Sequence, residues 1–213
     1  MPQVVQAAEG ATVPHHVATH DAGAGAPRIV TQRSILVLGD SLSAGYGLPE
    51  NSDWVDLLRK RLLSSRIDYS VANGSVSGDT TSGGLARLPA LLARDHPSIV
   101  IVELGGNDAL RGIDLTLTTT NLHAIIETSL AARARVVLVG MQIPPNYGPD
   151  YTKAFQDMYQ RLAQQYKLAF VPFLLEGIAD QPQSFQADQI HPTAAAQPRL
   201  LDNVWSHLSP LLR

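Results

Sequence analysis

The chain has 213 residues, enough for one α/β core and short of the size at which cores usually split. Its 16 basic and 19 acidic residues give a net charge of −3 with no long basic run, which argues against nucleic acid and anionic membrane surfaces as partners. Cysteine is absent, so disulfides, thiolate metal sites and cysteine nucleophiles are excluded.

In chain order, residues 1–33 are rich in Ala, Gly, Pro and His and read as a flexible tail ahead of one domain over 34–213. This segment lacks the basic start and apolar stretch of a secretory signal. His15, His16 and His20 have no carboxylate or cysteine cluster beside them and read as solvated rather than as a metal site. From residue 34 onward, strands are expected at 35–38, 68–72, 98–104, 135–140 and 168–172. They are nearly all apolar, as strands covered on both faces should be. Between them run stripes of helical spacing: Trp54, Leu57, Leu58 and Leu62; Leu122, Ile125, Ile126 and Leu130; then Tyr151, Phe155, Met158, Tyr159, Leu162 and Tyr166. A last helix carries Leu200, Leu201, Val204, Trp205 and Leu208, with Pro198 tolerable in its first turn or at a kink. The alternation is that of βαβ units, hence an α/β fold with a parallel sheet. No stretch approaches the ~18 apolar residues of a membrane-spanning helix. Glu103, inside an apolar strand, requires a cation or a hydrogen-bond partner. His96, His123 and His207 are expected at the surface.

Ligands of such sheets bind beyond the carboxyl ends of the strands. There the chain reads "GDSLSAGYG", "NGSVSGDTTSGG", "GGNDALRG" and "MQIPPNYGPDY", and "DQIHPT" precedes the last helix. A serine hydroxyl becomes a nucleophile when a histidine accepts its proton and a carboxylate orients that histidine. Ser41, His191 and Asp188 supply these types. Gly78 can bring a backbone N–H close, Asn107 can offer its amide, and Ser41 N–H is a third donor for an oxyanion. Each residue alone has a plainer reading: Ser41 and Asp188 as helix caps, Asn107 as a turn former, His191 as a packing histidine, Asp40 as a structural hydrogen-bonder. "GDSLS" lacks the second glycine of G-x-S-x-G, so the α/β-hydrolase elbow is not spelled. A nucleotide- or flavin-binding module is the alternative from another class, although neither G-x-G-x-x-G nor a P-loop occurs.

These blocks, in this order, resemble those of the SGNH, or GDSL, hydrolase family. "ARLPALL", "VELGGNDALRG" and "IHPTAAAQP" resemble its bacterial branch of acyl-CoA thioesterases, lysophospholipases and arylesterases. The resemblance spans residues 34 to 213. It implies a three-layer α/β/α sandwich with a five-stranded parallel sheet of flavodoxin-like order, a serine esterase acting through an acyl-enzyme, and no metal or organic cofactor. It carries Ser41 over as nucleophile, His191 as general base, Asp188 as its partner, and Ser41, Gly78 and Asn107 as the oxyanion hole. Small-molecule esters, thioesters or lysophospholipids are the expected partners, and a monomer the expected state. That branch implies a periplasmic location, against which stands the missing export signal. In "QIPPNYGPDY" the prolines deny backbone donors, so the loop cannot join the sheet. Ile143, Pro144 and Tyr147 are expected to contact the acyl chain there, with Gly148 as a hinge.

Overall fold

β-branched runs form five strands in a computed structural model that describes residues 33–212: β1 (Arg33–Gly39), β2 (Tyr69–Asn73), β3 (Ile99–Glu103), β4 (Arg135–Val139) and β5 (Ala169–Val171). The tail expected over 1–33 lies outside the described residues except for Arg33, which already begins β1. All strand pairs are parallel and the order is β2-β1-β3-β4-β5. Ile35 is in register with Val71 on one side and Ile99 on the other. Ile35 to Leu38 and Ile99 to Val102 are wholly buried, as their unbroken apolar runs require. β2 departs from that expectation: it is an edge strand, and only Tyr69 in it is buried.

The predicted stripes form α1 (Trp54–Ser64), α4 (Leu115–Ala131), α5 (Pro149–Tyr166) and α6 (Gln197–Leu208). Asp53 caps α1 by accepting from the N–H groups of Val55 and Asp56 at 2.8 and 2.9 Å. Pro149 and Pro198 sit in first turns, where no N–H is missed. Leu122, Ile125 and Ile126 are fully buried, whereas Leu130, at the end of the same stripe, is 38% exposed. Two further helices, α2 (Thr81–Asp95) and α3 (Gly106–Leu110), are absent from the predicted stripes. Gly83, Gly84 and Pro89 weaken the helical signal of α2. The packing explains Gly84: a Cβ there would stand 2.3 Å from Leu104 Cδ1.

α1 and α6 pack against each other on one face of the sheet; α2, α4 and α5 line up on the opposite face. The chain thus leaves β1 toward β2 across one face and returns to β3 across the other. This opens a crevice beyond the carboxyl ends of β1 and β3. Of the three histidines expected at the surface, His96 is exposed, while His123 and His207 are half-buried. His123 Nδ1 lies 2.7 Å from the Tyr166 hydroxyl, and burial lowers the pKa of His207.

Candidate active site

β1 delivers Gly39, Asp40 and Ser41 to the crevice. Ala44 N–H closes the following turn on Asp40 O at 2.9 Å, leaving Ser41 half-buried at its start. His191 and Asp188 lie on a turn ahead of α6. Ile190 N–H and His191 N–H both donate to Asp188 Oδ1 at 3.0 Å, and Gln186 N–H donates to His191 O at 2.7 Å. Gln186 Nε2 crosses to the first loop and donates to Tyr46 O at 2.9 Å, while the Tyr46 ring packs 4.5 Å from the imidazole. The outcome is one chain of contacts: Ser41 Oγ to His191 Nε2 at 2.9 Å, and His191 Nδ1 to Asp188 Oδ2 at 2.7 Å. With the carboxylate on Nδ1–H, Nε2 is the acceptor that faces the serine hydroxyl. The hydrogen bonds from the His191 side chain and from two backbone N–H groups lower the Asp188 pKa to about 2. It is therefore anionic at any working pH.

Asn107 stands in the first turn of α3 and donates Nδ2 to Asp40 Oδ2 at 3.0 Å. An amide nitrogen carries two hydrogens, so one remains free for a ligand. Beside it, Asp108 accepts from Thr81 N–H at 2.9 Å and from Thr81 Oγ1 at 2.5 Å, fastening α3 to the start of α2. Gly78 has φ +77°, a left-handed conformation that side chains disfavour, and its carbonyl accepts from Arg111 at 2.6 Å. Neither Ser41 N–H nor Gly78 N–H has a hydrogen-bond acceptor among the described residues. Asp40 is a hydrogen-bonder of this loop, accepting also from Leu42 N–H at 3.0 Å. Burial raises its pKa to about 6. Glu103 finds hydrogen bonds and, among the described residues, no cation: Ser43 Oγ donates at 2.7 Å and Asp40 N–H at 3.3 Å.

A cavity of about 420 Å³ opens next to Ser41, reaching Asp40 and Asn107. Its wall is mostly apolar and drawn from distant parts of the chain: Leu42; Leu110; Met141, Ile143 and Pro144; Phe173, Leu175 and Ala179; Phe185 and Ile190. Tyr147 is not part of it. That side chain borders a second, more open depression with Ile113, Leu115 and Tyr151, and Leu110 edges both. The loop after β4 turns at Pro145–Tyr147 as a single 3-10 turn, which carries Tyr147 away from Ile143. Sequence reasoning missed most of the wall. Ile190, 52% exposed between Asp188 and His191, was a usable signal, because an apolar residue in a polar loop needs a reason to be there. No group of three or more His, Asp or Glu able to hold a metal is found among the described residues.

A family model described as the GDSL-like lipase/acylhydrolase family matches residues 37–198. The chain is 53% identical over 180 residues to "Esterase TesA" of Pseudomonas aeruginosa, covering 84% of this chain and 90% of that one. It is 42% identical over 185 residues to "Thioesterase 1/protease 1/lysophospholipase L1" of Escherichia coli K12, covering 87% and 88%. The solved structure of the psychrotrophic esterase EstA from Pseudoalteromonas sp., inhibited by monoethylphosphonate, superposes with a TM-score of 0.80 at 38% identity, over 84% of this chain and 98% of that one.

Proposed function

The chain belongs to the GDSL-like lipase/acylhydrolase family and is a carboxylic ester hydrolase, and from that premise we propose that Ser41 carries the acyl group while His191 and Asp188 run the proton transfers. A nucleotide- or flavin-binding module is set aside, since the relatives are hydrolases.

Ser41 Oγ attacks the carbonyl carbon and gives its proton to His191 Nε2. The imidazolium is held by the Asp188 carboxylate. The carbonyl oxygen becomes an oxyanion that accepts from Ser41 N–H, Gly78 N–H and the free hydrogen of Asn107 Nδ2. Collapse breaks the bond to the leaving oxygen or sulfur, which takes the proton from His191, and Ser41 stays acylated. Water then repeats the sequence, with His191 taking its proton, to release the acid and restore the serine. The apolar cavity beside Ser41 receives the acyl chain, so esters of medium to long chains are the favoured class. Acyl thioesters and lysophospholipids present the same acyl group and are substrates of the same site.

The observation that carries this reading is the unbroken contact chain from Ser41 Oγ through both imidazole nitrogens to Asp188, with the neighbours of Ser41, Asp40 and Leu42, lining that cavity. A fluorophosphonate probe is expected to label Ser41, and Ser41→Ala to lose both labelling and turnover. Labelling that persists in the variant would refute the assignment. An activity series over p-nitrophenyl esters of rising chain length, beside palmitoyl-CoA and a lysophospholipid, ranks the substrates.

A further inference from the structure

Arg87 lies near the end of the second turn of α2, outside every residue assigned to the site, and its side chain is 23% exposed. Its guanidinium reaches three separate pieces of backbone or loop. Nε donates to Asp79 Oδ2 at 2.7 Å, Nη2 to Gly39 O at 3.1 Å, and Nη1 to Gly74 O. These acceptors bracket the two backbone donors of the oxyanion hole. Gly39 is two residues before Ser41, Asp79 directly follows Gly78, and Gly74 opens the segment that leads from β2 to Gly78.

The same segment is laid along the end of β1 by two backbone bonds, Gly74 N–H to Val37 O at 2.8 Å and Val76 N–H to Gly39 O at 3.1 Å. Beyond Val76 no sheet pairing holds it: a turn from Asp79 N–H to Val76 O at 3.1 Å and Arg111 on the Gly78 carbonyl hold it locally, and neither ties it to the Ser41 loop. Arg87 makes that link, from the Asp79 side chain beside Gly78 to the Gly39 carbonyl ahead of Ser41. A guanidinium is a planar fork with its donors at fixed angles, so three acceptors bound at once are held at fixed mutual distances. An ammonium on a flexible stem does not impose that geometry.

We infer that Arg87 is a positioning residue that sets the separation between the Ser41 and Gly78 N–H groups, and through it the fit of the hole to the tetrahedral oxyanion. The inference rests on the assignment of those two groups as oxyanion donors. Arg87 touches neither substrate nor reacting atoms. Its effect falls on the transition state, because the planar ester carbonyl makes smaller demands on the hole than the tetrahedral oxygen. A misplacement on the order of 1 Å costs about a hundredfold in rate, so even a partial relaxation is measurable.

The test compares Arg87→Lys and Arg87→Gln with the wild type on p-nitrophenyl octanoate. It adds the inhibition constant of an octyl trifluoromethyl ketone, whose hemiketal oxygen occupies the hole, and the affinity of the intact ester in a Ser41→Ala background. In both variants kcat and ketone affinity should fall together by about tenfold or more, with KM and ester affinity within about twofold. In Arg87→Ala, millimolar guanidinium should restore part of kcat. If Arg87→Gln and Arg87→Ala do not fold, Arg87→Lys decides by the same measurements. Unchanged kcat and ketone affinity, or equal losses of ketone and ester affinity, would overturn the positioning role and leave Arg87 an ordinary brace. Asn107→Ala separates this from the underlying assignment. It should lower kcat by about 10²–10³; if it does not, the oxyanion hole itself is misassigned, whereas a damaged Asn107→Ala beside an unaffected Arg87→Lys overturns only the inference.

Discussion

Two buried carboxyls, Asp40 and Glu103, stand behind Ser41 and take no part in the proton relay proposed for it. Glu103 is 2% exposed, and burial, with the neighbouring Asp40 adding to it, raises its pKa well above 4.5. Burial likewise lifts Asp40 from 3.8 to about 6. Folding therefore favours the protonated forms. The stability these groups contribute is complete below pH ~4 and is lost as pH rises, between 3.8 and about 6 for Asp40 and from 4.5 upward for Glu103. The limiting slope is about 1.4 kcal/mol per pH unit for each proton. Asp188 works in the opposite sense, since its pKa falls from 3.8 to about 2: its contribution is present above pH 3.8 and vanishes as pH drops toward 2. It is exposed, so solvent screens that contribution. In Glu103→Gln the side-chain oxygen can still accept from Ser43 Oγ and Asp40 N–H without a charge to bury. We expect its melting temperature to decline less between pH 5 and 8 than that of the wild type, and to exceed it by a few degrees at pH 8. Parallel curves for the two proteins would show that Glu103 does not carry the pH dependence.

At the scale of elements, the loop between β4 and α5 divides its apolar residues between two depressions. Ile143 is 6% exposed in the wall of the cavity next to Ser41, and Tyr147 is 39% exposed in the more open depression. This narrows the expectation for chain-length selection. Each methylene of substrate buried against the wall contributes up to ~0.8 kcal/mol, so trimming Ile143 should weaken the hold on long chains and spare short ones. Ile143→Ala is expected to lower kcat/KM for octanoate esters by about three- to tenfold while leaving acetate esters within about twofold. Tyr147→Ala should leave the octanoate-to-acetate ratio unchanged. Steady-state kinetics on both esters decides the matter: equal losses for the two chain lengths in Ile143→Ala would remove Ile143 from the acyl site.

The site draws on the whole molecule. Ser41, Gly78, Asn107 and His191 follow four different strands, β1, β2, β3 and β5, held in register by one sheet and by α1 and α6 on a common face. None of these strands can unfold without displacing at least one of them. Esterase activity and far-UV ellipticity should therefore disappear along one urea transition. The competing outcome is local: Asp188 to Ile190 are exposed, and a turn with few buried contacts can open before the core does. Activity lost at clearly lower urea than ellipticity would show that the His191 turn opens first. Gln186, bonded to Tyr46 O and Pro192 O, is the side chain that opposes such opening.

Sequence periodicity was sufficient for the five strands and four of the helices, because those elements bury long runs of identical character and period alone reports them. The loops that carry Ser41, Gly78, Asn107, Asp188 and His191 were legible for a different reason: glycine, serine, asparagine and histidine gather in the segments beyond the apolar runs, in blocks that resemble those of the SGNH family. α2 was illegible, since its glycines and proline contradict helix propensity, and Gly83 and Gly84 make sense only against the side chains of Asp79 and Leu104. Tertiary structure alone decided which residues line the cavity, that Tyr147 faces away from it, and that Asp40 and Glu103 hold raised pKa values. It also decided that Arg87 reaches three distant acceptors at once. These properties depend on distances between residues far apart in the chain, and local patterns contain no measure of such distances.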